Sequence, residues 1–245
     1  EFSRRNIQAF SFQRSFKVIW VDWRSSLAFY LQNITDIALI EGPVLILRTL
    51  KSASLLPLYV THRTISNVVR TAFFMINSVV GPELTHTKNR ITSEQLNSLV
   101  RLVQIFVLGL IIYSILARYF VETFFQIWLG NNLNFDRDIF VLFNYAVIIT
   151  VFKQLCKLVL NAFNKNTLFS VGEIFILLLA TLFMLYSTQI SVKSIIRISI
   201  VYEIGSYIMS IYFIRNEFRS TYKKYLFYNV LGCMVLMVIN GFLWR

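Results

Sequence analysis

Leu55 to Pro82 reads LLPLYVTHRTISNVVRTAFFMINSVVGP, an apolar stretch of membrane-crossing length that carries two arginines. Arg63, Asn67, Arg70 and Asn77 follow one another at steps of four, three and seven, so they share one face of one helix. Intramembrane charges are costly, and they turn towards a protein interior or a watery cavity rather than towards lipid tails. The stretch therefore predicts a helix with one polar face inside a polytopic bundle whose cavity suits anions.

The rest of the chain fits that reading. Of its 245 residues 56% are hydrophobic, 16% aromatic and only 15% charged, which is too apolar for the surface of an ordinary soluble domain. A net charge of +12 would suggest nucleic acid in a soluble protein, but here many Lys and Arg lie between or at the ends of apolar runs. There they act as topology signals and headgroup contacts, so membrane lipids, and no nucleic acid, are the expected partners. Cys156 and Cys233 both fall inside apolar runs without paired spacing, which indicates neither a disulfide framework nor a metal site.

Because a bilayer offers the backbone no water, each crossing should be a helix of roughly 20 residues. The expectation is an all-α integral membrane protein with about seven transmembrane helices, near 26–47, 56–83, 98–121, 138–162, 168–187, 192–214 and 224–244. Three units follow: a basic amphipathic segment over 1–25, a six-helix transporter bundle over 26–218 and a further transmembrane helix within 219–245. In the first segment Phe12, Phe16, Ile19 and Trp23 fall on one helical face, a pattern suited to the headgroup layer. Lys and Arg concentrate before the first span and after the second, fourth and sixth, which places those connections in the cytoplasm. Arg48 and Lys51 run against that orientation.

Polar stripes recur in other spans. Thr150, Lys153, Lys157, Asn161 and Asn164 follow at helical spacings, and give the fourth span an amide and cation face. Gln32, Asn33 and Asp36 cluster in the first span, with Glu41 on a different face. In the sixth, Ser199, Glu203, Ser206 and Ser210 line up, a pattern that more often marks helix packing than a substrate path. His62 and His86 are the only histidines, and there is no Gly-rich phosphate loop and no G-x-S-x-G. No catalytic residue, metal or cofactor is expected, and the chain reads as a transporter.

The order of several segments carries a resemblance. IEGPVLIL (40–47), LPLYVTHRTISN (56–67), INSVVGPELTHTKNR (76–90), ETFFQIWLGNNLNFD (122–136) and LVLNAFNKNTLFS (158–170) together resemble the carboxy-terminal half of Wzx-type polysaccharide flippases, the O-antigen and capsule translocases. These belong to the MATE-like multidrug/oligosaccharidyl-lipid/polysaccharide exporters. The resemblance runs from about Ser26 to Phe218 and rests on order and spacing, since each motif is loose.

That resemblance implies a MATE-like bundle in the bacterial cytoplasmic membrane, the carboxy-terminal half of a larger transporter whose amino-terminal bundle is a partner. It also implies alternating access that moves an undecaprenyl-diphosphate-linked oligosaccharide outwards. Guanidinium groups bind phosphate oxygens through directed, charge-assisted hydrogen bonds, so Arg63 and Arg70 are expected to hold the diphosphate. Lys153 and Lys157, facing them across the bundle, would receive or release it. Asn67, Asn77 and Asn161 would offer amides to sugar hydroxyls. Ion coupling falls to Asp36, mid-span among amides, with Glu173 second. Two alternatives stand beside this: a MATE-like small-solute or drug antiporter, for which acidic cavity faces would be expected, and a membrane-embedded glycan ligase or polymerase, for which larger loops would be expected.

Overall fold

The computed structural model describes residues 12–50, 55–85, 93–130, 134–186, 191–218 and 222–244. Among them the chain forms seven α-helices and no strand: α1 Phe12–Leu50, α2 Leu55–Thr85, α3 Ser93–Leu129, α4 Arg137–Ala162, α5 Thr167–Tyr186, α6 Val192–Phe218 and α7 Lys223–Leu243. Five have the length and apolar character to cross a membrane, namely Leu96–Leu129 of α3 and the whole of α4, α5, α6 and α7. They mark the chain as a multi-pass membrane protein. The other two, α1 and α2, have 39 and 31 residues and carry the polar groups that build the site. The surface is inverted relative to a soluble protein: Ile127, Phe183 and Val238 face outwards, while Lys153, Glu173 and Glu203 are buried.

One boundary differs from the expectation. The amphipathic stretch before residue 26 is not a separate helix, because α1 runs without interruption from Phe12. The side chains of Phe12, Phe16 and Ile19 lie outside the described ones, as do residues 1–11. Pro43 sits inside α1 and cannot donate to the carbonyl one turn back, which weakens the ladder there. A side chain from α2 uses that region: Arg63 Nη1 donates to the Ile40 carbonyl at 2.6 Å.

At the centre stands α4, which packs against α2, α6 and α7. Its apolar span is 72% buried, whereas those of the other four crossing helices are 22% to 39% buried. Such a helix can hold charge away from lipid. Its start is capped by Asp136, whose carboxylate accepts from the Ile139 N–H at 3.1 Å. Its end is turned by Asn164, at φ 53°, a left-handed conformation that Asn tolerates. The polar stripe read in the sequence therefore stops at Asn161, and Asn164 is an exposed cap residue outside the helix.

Contacts at both ends fix the direction of the helices. Lys193 at the start of α6 reaches Asp138 at 2.7 Å and Asp136 at 3.5 Å, and Lys165 beyond α4 meets Glu217 of α6 at 3.0 Å, so α4 and α6 run parallel. His62 ties in α2: its Nδ1 lies 2.8 Å from the Leu58 carbonyl and its Nε2 accepts from the Asp136 N–H at 3.1 Å. These bonds define one tautomer, with the proton on Nδ1.

In α7 the helix runs the other way and ends in a clamp. Arg118 Nε donates to the Leu243 carbonyl at 2.9 Å and Arg137 Nη2 to the Trp244 carbonyl at 2.5 Å. Both guanidiniums lie 5.6 Å from the Trp244 ring, so cations meet the negative end of the helix dipole and an aromatic face together. This helix falls outside the six-helix unit read from the sequence, yet Tyr225, Cys233 and Leu236 belong to the largest core cluster. Gly232 permits the approach, since a Cβ there would lie 2.6 Å from Val107 Cγ2 and 3.2 Å from Phe152.

Candidate functional site

Lys153 and Lys157 stand one turn apart on α4, and the packing of that helix leaves both buried. An ammonium in such a place needs a counter-charge, because losing water costs several kcal/mol per ion. Three carboxylates supply it. Lys153 Nζ lies 2.7 Å from Glu203 Oε2 on α6 and 3.6 Å from Glu173 Oε1 on α5. Lys157 Nζ lies 3.2 Å from Glu173 Oε2 and 3.4 Å from Asp36 Oδ2 on α1. The result is an alternating chain, Glu203–Lys153–Glu173–Lys157–Asp36, that ties α1, α4, α5 and α6 together.

Glu173 is its middle member and is oriented by neighbours. Ser206 donates to Oε1 at 2.7 Å and Tyr202 approaches the same oxygen at 3.5 Å. The Tyr202 ring also lies under the Lys153 ammonium, at 5.1 Å. Two cations against three anions leave the chain one negative charge in excess when all five groups are ionised. Arg70 is the nearby cation that Asp36 also feels.

Beyond Lys157 the network continues as amides. Gln32 Nε2 donates to Asn161 Oδ1 and Asn161 Nδ2 to Gln32 Oε1, each at 3.2 Å. Gln32 also donates to Ser170 at 3.1 Å, and Asn166 to Asn161 Oδ1 at 3.0 Å. Asn161, expected to serve a sugar, is occupied by this cluster in the present conformation.

On the other side of Lys153 lies a cavity of about 50 Å³ between α1, α2, α4 and α6. Arg63, Asn67, Arg70, Thr150, Ser199 and Glu203 give it polar walls, and Tyr59 and Phe143 lie among its apolar ones. The two arginines differ in how they are held. Arg63 bonds the Ile40 carbonyl, lies 3.7 Å from Glu41 Oε1 and sits 5.9 Å from the Tyr59 ring centroid. Arg70 has its guanidinium 5.2 Å from the Phe74 ring, while its Nε and Nη2 are buried with no hydrogen-bond partner among the described residues. Buried donors without acceptors are uncommon, and these belong to the planar fork that pairs with two oxygens of a carboxylate or a phosphate. Glu203 lines the cavity and pairs with Lys153, so it joins the arginine face to the charge chain.

The expected site residues thus fall into three sets. Arg63, Asn67 and Arg70 share the cavity, Asp36, Glu173, Lys153 and Lys157 share the ionic chain, and Asn161 belongs to the amides. The side chain of Asn77 lies outside the described ones. Lys153 and Lys157 do not face the arginines as open cations, because each is within ion-pair distance of two carboxylates. The sequence reading missed the roles of Glu203 and Glu41. Both were visible as mid-span acids, and counting acids against bases in the apolar stretches would have paired them. Compared with protein-family models, curated proteins and solved structures, the chain matches none.

Proposed function

We propose that this chain is a module of a multi-pass membrane transporter for an anionic substrate. Its sharpest form is the flippase reading, in which a MATE-like bundle of seven crossings moves an undecaprenyl-diphosphate-linked oligosaccharide across the bacterial cytoplasmic membrane for polysaccharide export. The carrying observation is Arg70, whose Nε and Nη2 are buried beside a polar cavity with no hydrogen-bond partner among the described residues. Phosphate oxygens are the acceptors such a group lacks, and water is scarce enough there to keep the bond strong.

A cavity of about 50 Å³ admits water but no diphosphate, so loading requires α2 to separate from α4 and α6. In this scheme the chain from Glu203 to Asp36 is the element that opens and closes. An anion on Arg63 and Arg70 repels Glu203, and a proton or another cation on the carboxylates relieves their excess charge. Asn67 then offers its amide to a sugar hydroxyl. No covalent step is involved, and the lipid tail stays between helices.

One observation favours a second reading. The three carboxylates of the chain, Glu173 and Glu203 buried and Asp36 half-buried, also suit a cation-coupled antiporter of small solutes, with the same chain carrying the coupling ion. Arginine variants separate the two. With Arg63→Ala and Arg70→Ala combined in the natural protein at unchanged abundance, surface polysaccharide falls at least tenfold, and Arg→Lys at both positions retains part of it. Unaltered polysaccharide removes the flippase reading. Loss of drug or solute efflux in Glu203→Gln, with polysaccharide intact, establishes the antiporter.

A further inference from the structure

The helices α6 and α7 are consecutive in the chain and touch where Tyr207 donates to Asn229, but α7 packs mainly on α3 and α4. Between them opens a groove of about 1020 Å³. It shares no residue with the charge network.

The groove is built with two chemistries. Arg215 and Asn216 at the end of α6 and Lys223 at the start of α7 form its head. Both cations are exposed, and among the described residues neither has a carboxylate within ion-pair distance. The nearest acid in sequence, Glu217, is taken by Lys165 at 3.0 Å. Away from the head the lining turns apolar. On α7 Lys223 is followed at steps of three, four, seven and eight by Leu226, Phe227, Val230 and Leu231, and Met234 closes the same face.

Length decides what fits. The eleven steps from Lys223 to Met234 rise about 16 Å along a helix, which is about half of a hydrocarbon core roughly 30 Å thick. A basic head and an apolar trough one leaflet deep match an amphiphile of one leaflet. The head lies at the end of the molecule marked cytoplasmic by its Lys and Arg, where anionic phospholipids concentrate.

We infer that the α6–α7 groove is a binding site for an anionic phospholipid, with Arg215 and Lys223 holding its phosphate and one acyl chain lying along Leu226, Val230 and Met234. The inference is independent of the transported substrate. Charge complementarity selects an anionic head over a zwitterionic one, and the depth selects a lipid over a free phosphate. A bound lipid fills the space between α6 and α7, so it braces the two helices.

The test uses the 245-residue chain purified in mild detergent, stripped of lipid and supplied with phosphatidylglycerol or phosphatidylcholine. Retained lipid is counted by native mass spectrometry and melting is followed in parallel. Phosphatidylglycerol is retained at least fivefold better than phosphatidylcholine and raises the melting temperature. R215Q/K223Q erases that preference, whereas R215K/K223R keeps it. V230W, which fills the trough and leaves the head intact, lowers retention of phosphatidylglycerol while the variant still elutes as a single folded species. Equal retention of the two lipids, or an unchanged preference in R215Q/K223Q, overturns the inference. Displacement of phosphatidylglycerol by an equimolar polyprenyl diphosphate, with R215Q/K223Q abolishing that binding instead, reassigns the groove to a substrate lipid and overturns it as well.

Discussion

Lys153 is fully enclosed and depends on Glu203, 2.7 Å away, for its compensation. Removing one partner of such a pair strands a charge away from water, so Glu203→Gln lowers stability by about 3–5 kcal/mol. The double variant Lys153→Met/Glu203→Gln costs less than the sum of its singles, and the difference, read from denaturation of all four proteins in one detergent, measures the pair. Additive costs mean that the two groups do not interact. His62 makes a neutral counterpart. His62→Phe keeps an aromatic ring against Phe125 and Phe135 but leaves the Asp136 N–H without its acceptor, at a cost of about 1–3 kcal/mol in the same assay. At this scale the arginines were legible, because four polar residues at helical steps in an apolar run admit few readings. The partners of Lys153 were not. Spacing within α4 places two lysines on a face, but which helix meets that face depends on packing between segments distant in the chain.

At the scale of elements, α7 gives the clearest contrast. Gly232→Ala drives a methyl towards Val107 Cγ2 and Phe152, and the repacking costs about 1–3 kcal/mol. Gly109→Ala, in the middle of α3 with nothing within 4 Å of the added carbon, is neutral or stabilising by up to about 1 kcal/mol. Thermal melts of the two variants rank them, and a reversed order means that α7 does not seat on α3 and α4 as described. Hydropathy located the seven helices seen among the described residues, five of which are long and apolar enough to cross a membrane, since long apolar runs leave little choice of secondary structure in lipid. It misjudged the start of α1, where a basic, aromatic-rich stretch continues the helix instead of breaking it, and it could not tell that α7 joins the core. Tyr225, which donates to the Leu155 carbonyl at 2.8 Å, and Asn229, which accepts from Tyr207 and lies 3.7 Å from Cys156 Sγ, carry that information only once the helices meet.

For the whole molecule, charge organises both ends and the middle. The starts of α4 and α6 meet at Lys193, Asp136 and Asp138, and their other ends meet at Lys165 and Glu217. A membrane-impermeant thiol reagent applied to intact cells therefore labels Asn134→Cys but not Lys165→Cys, and the opposite pattern inverts the orientation. Between those ends the ionic chain ties α1, α4, α5 and α6 beside a cavity too small for the proposed cargo, so the proposed transport requires ion pairs to break and re-form. Binding of the diphosphate by the arginine face is the central claim, and a direct titration decides it. The protein in nanodiscs is titrated with undecaprenyl diphosphate and with undecaprenol, which lacks the charge. The diphosphate binds at least tenfold more tightly than the alcohol to the native protein, and Arg63→Ala/Arg70→Ala removes that preference while leaving the weak binding of the alcohol unchanged. Equal affinities in the native protein, or a preference that survives loss of both arginines, contradict the claim.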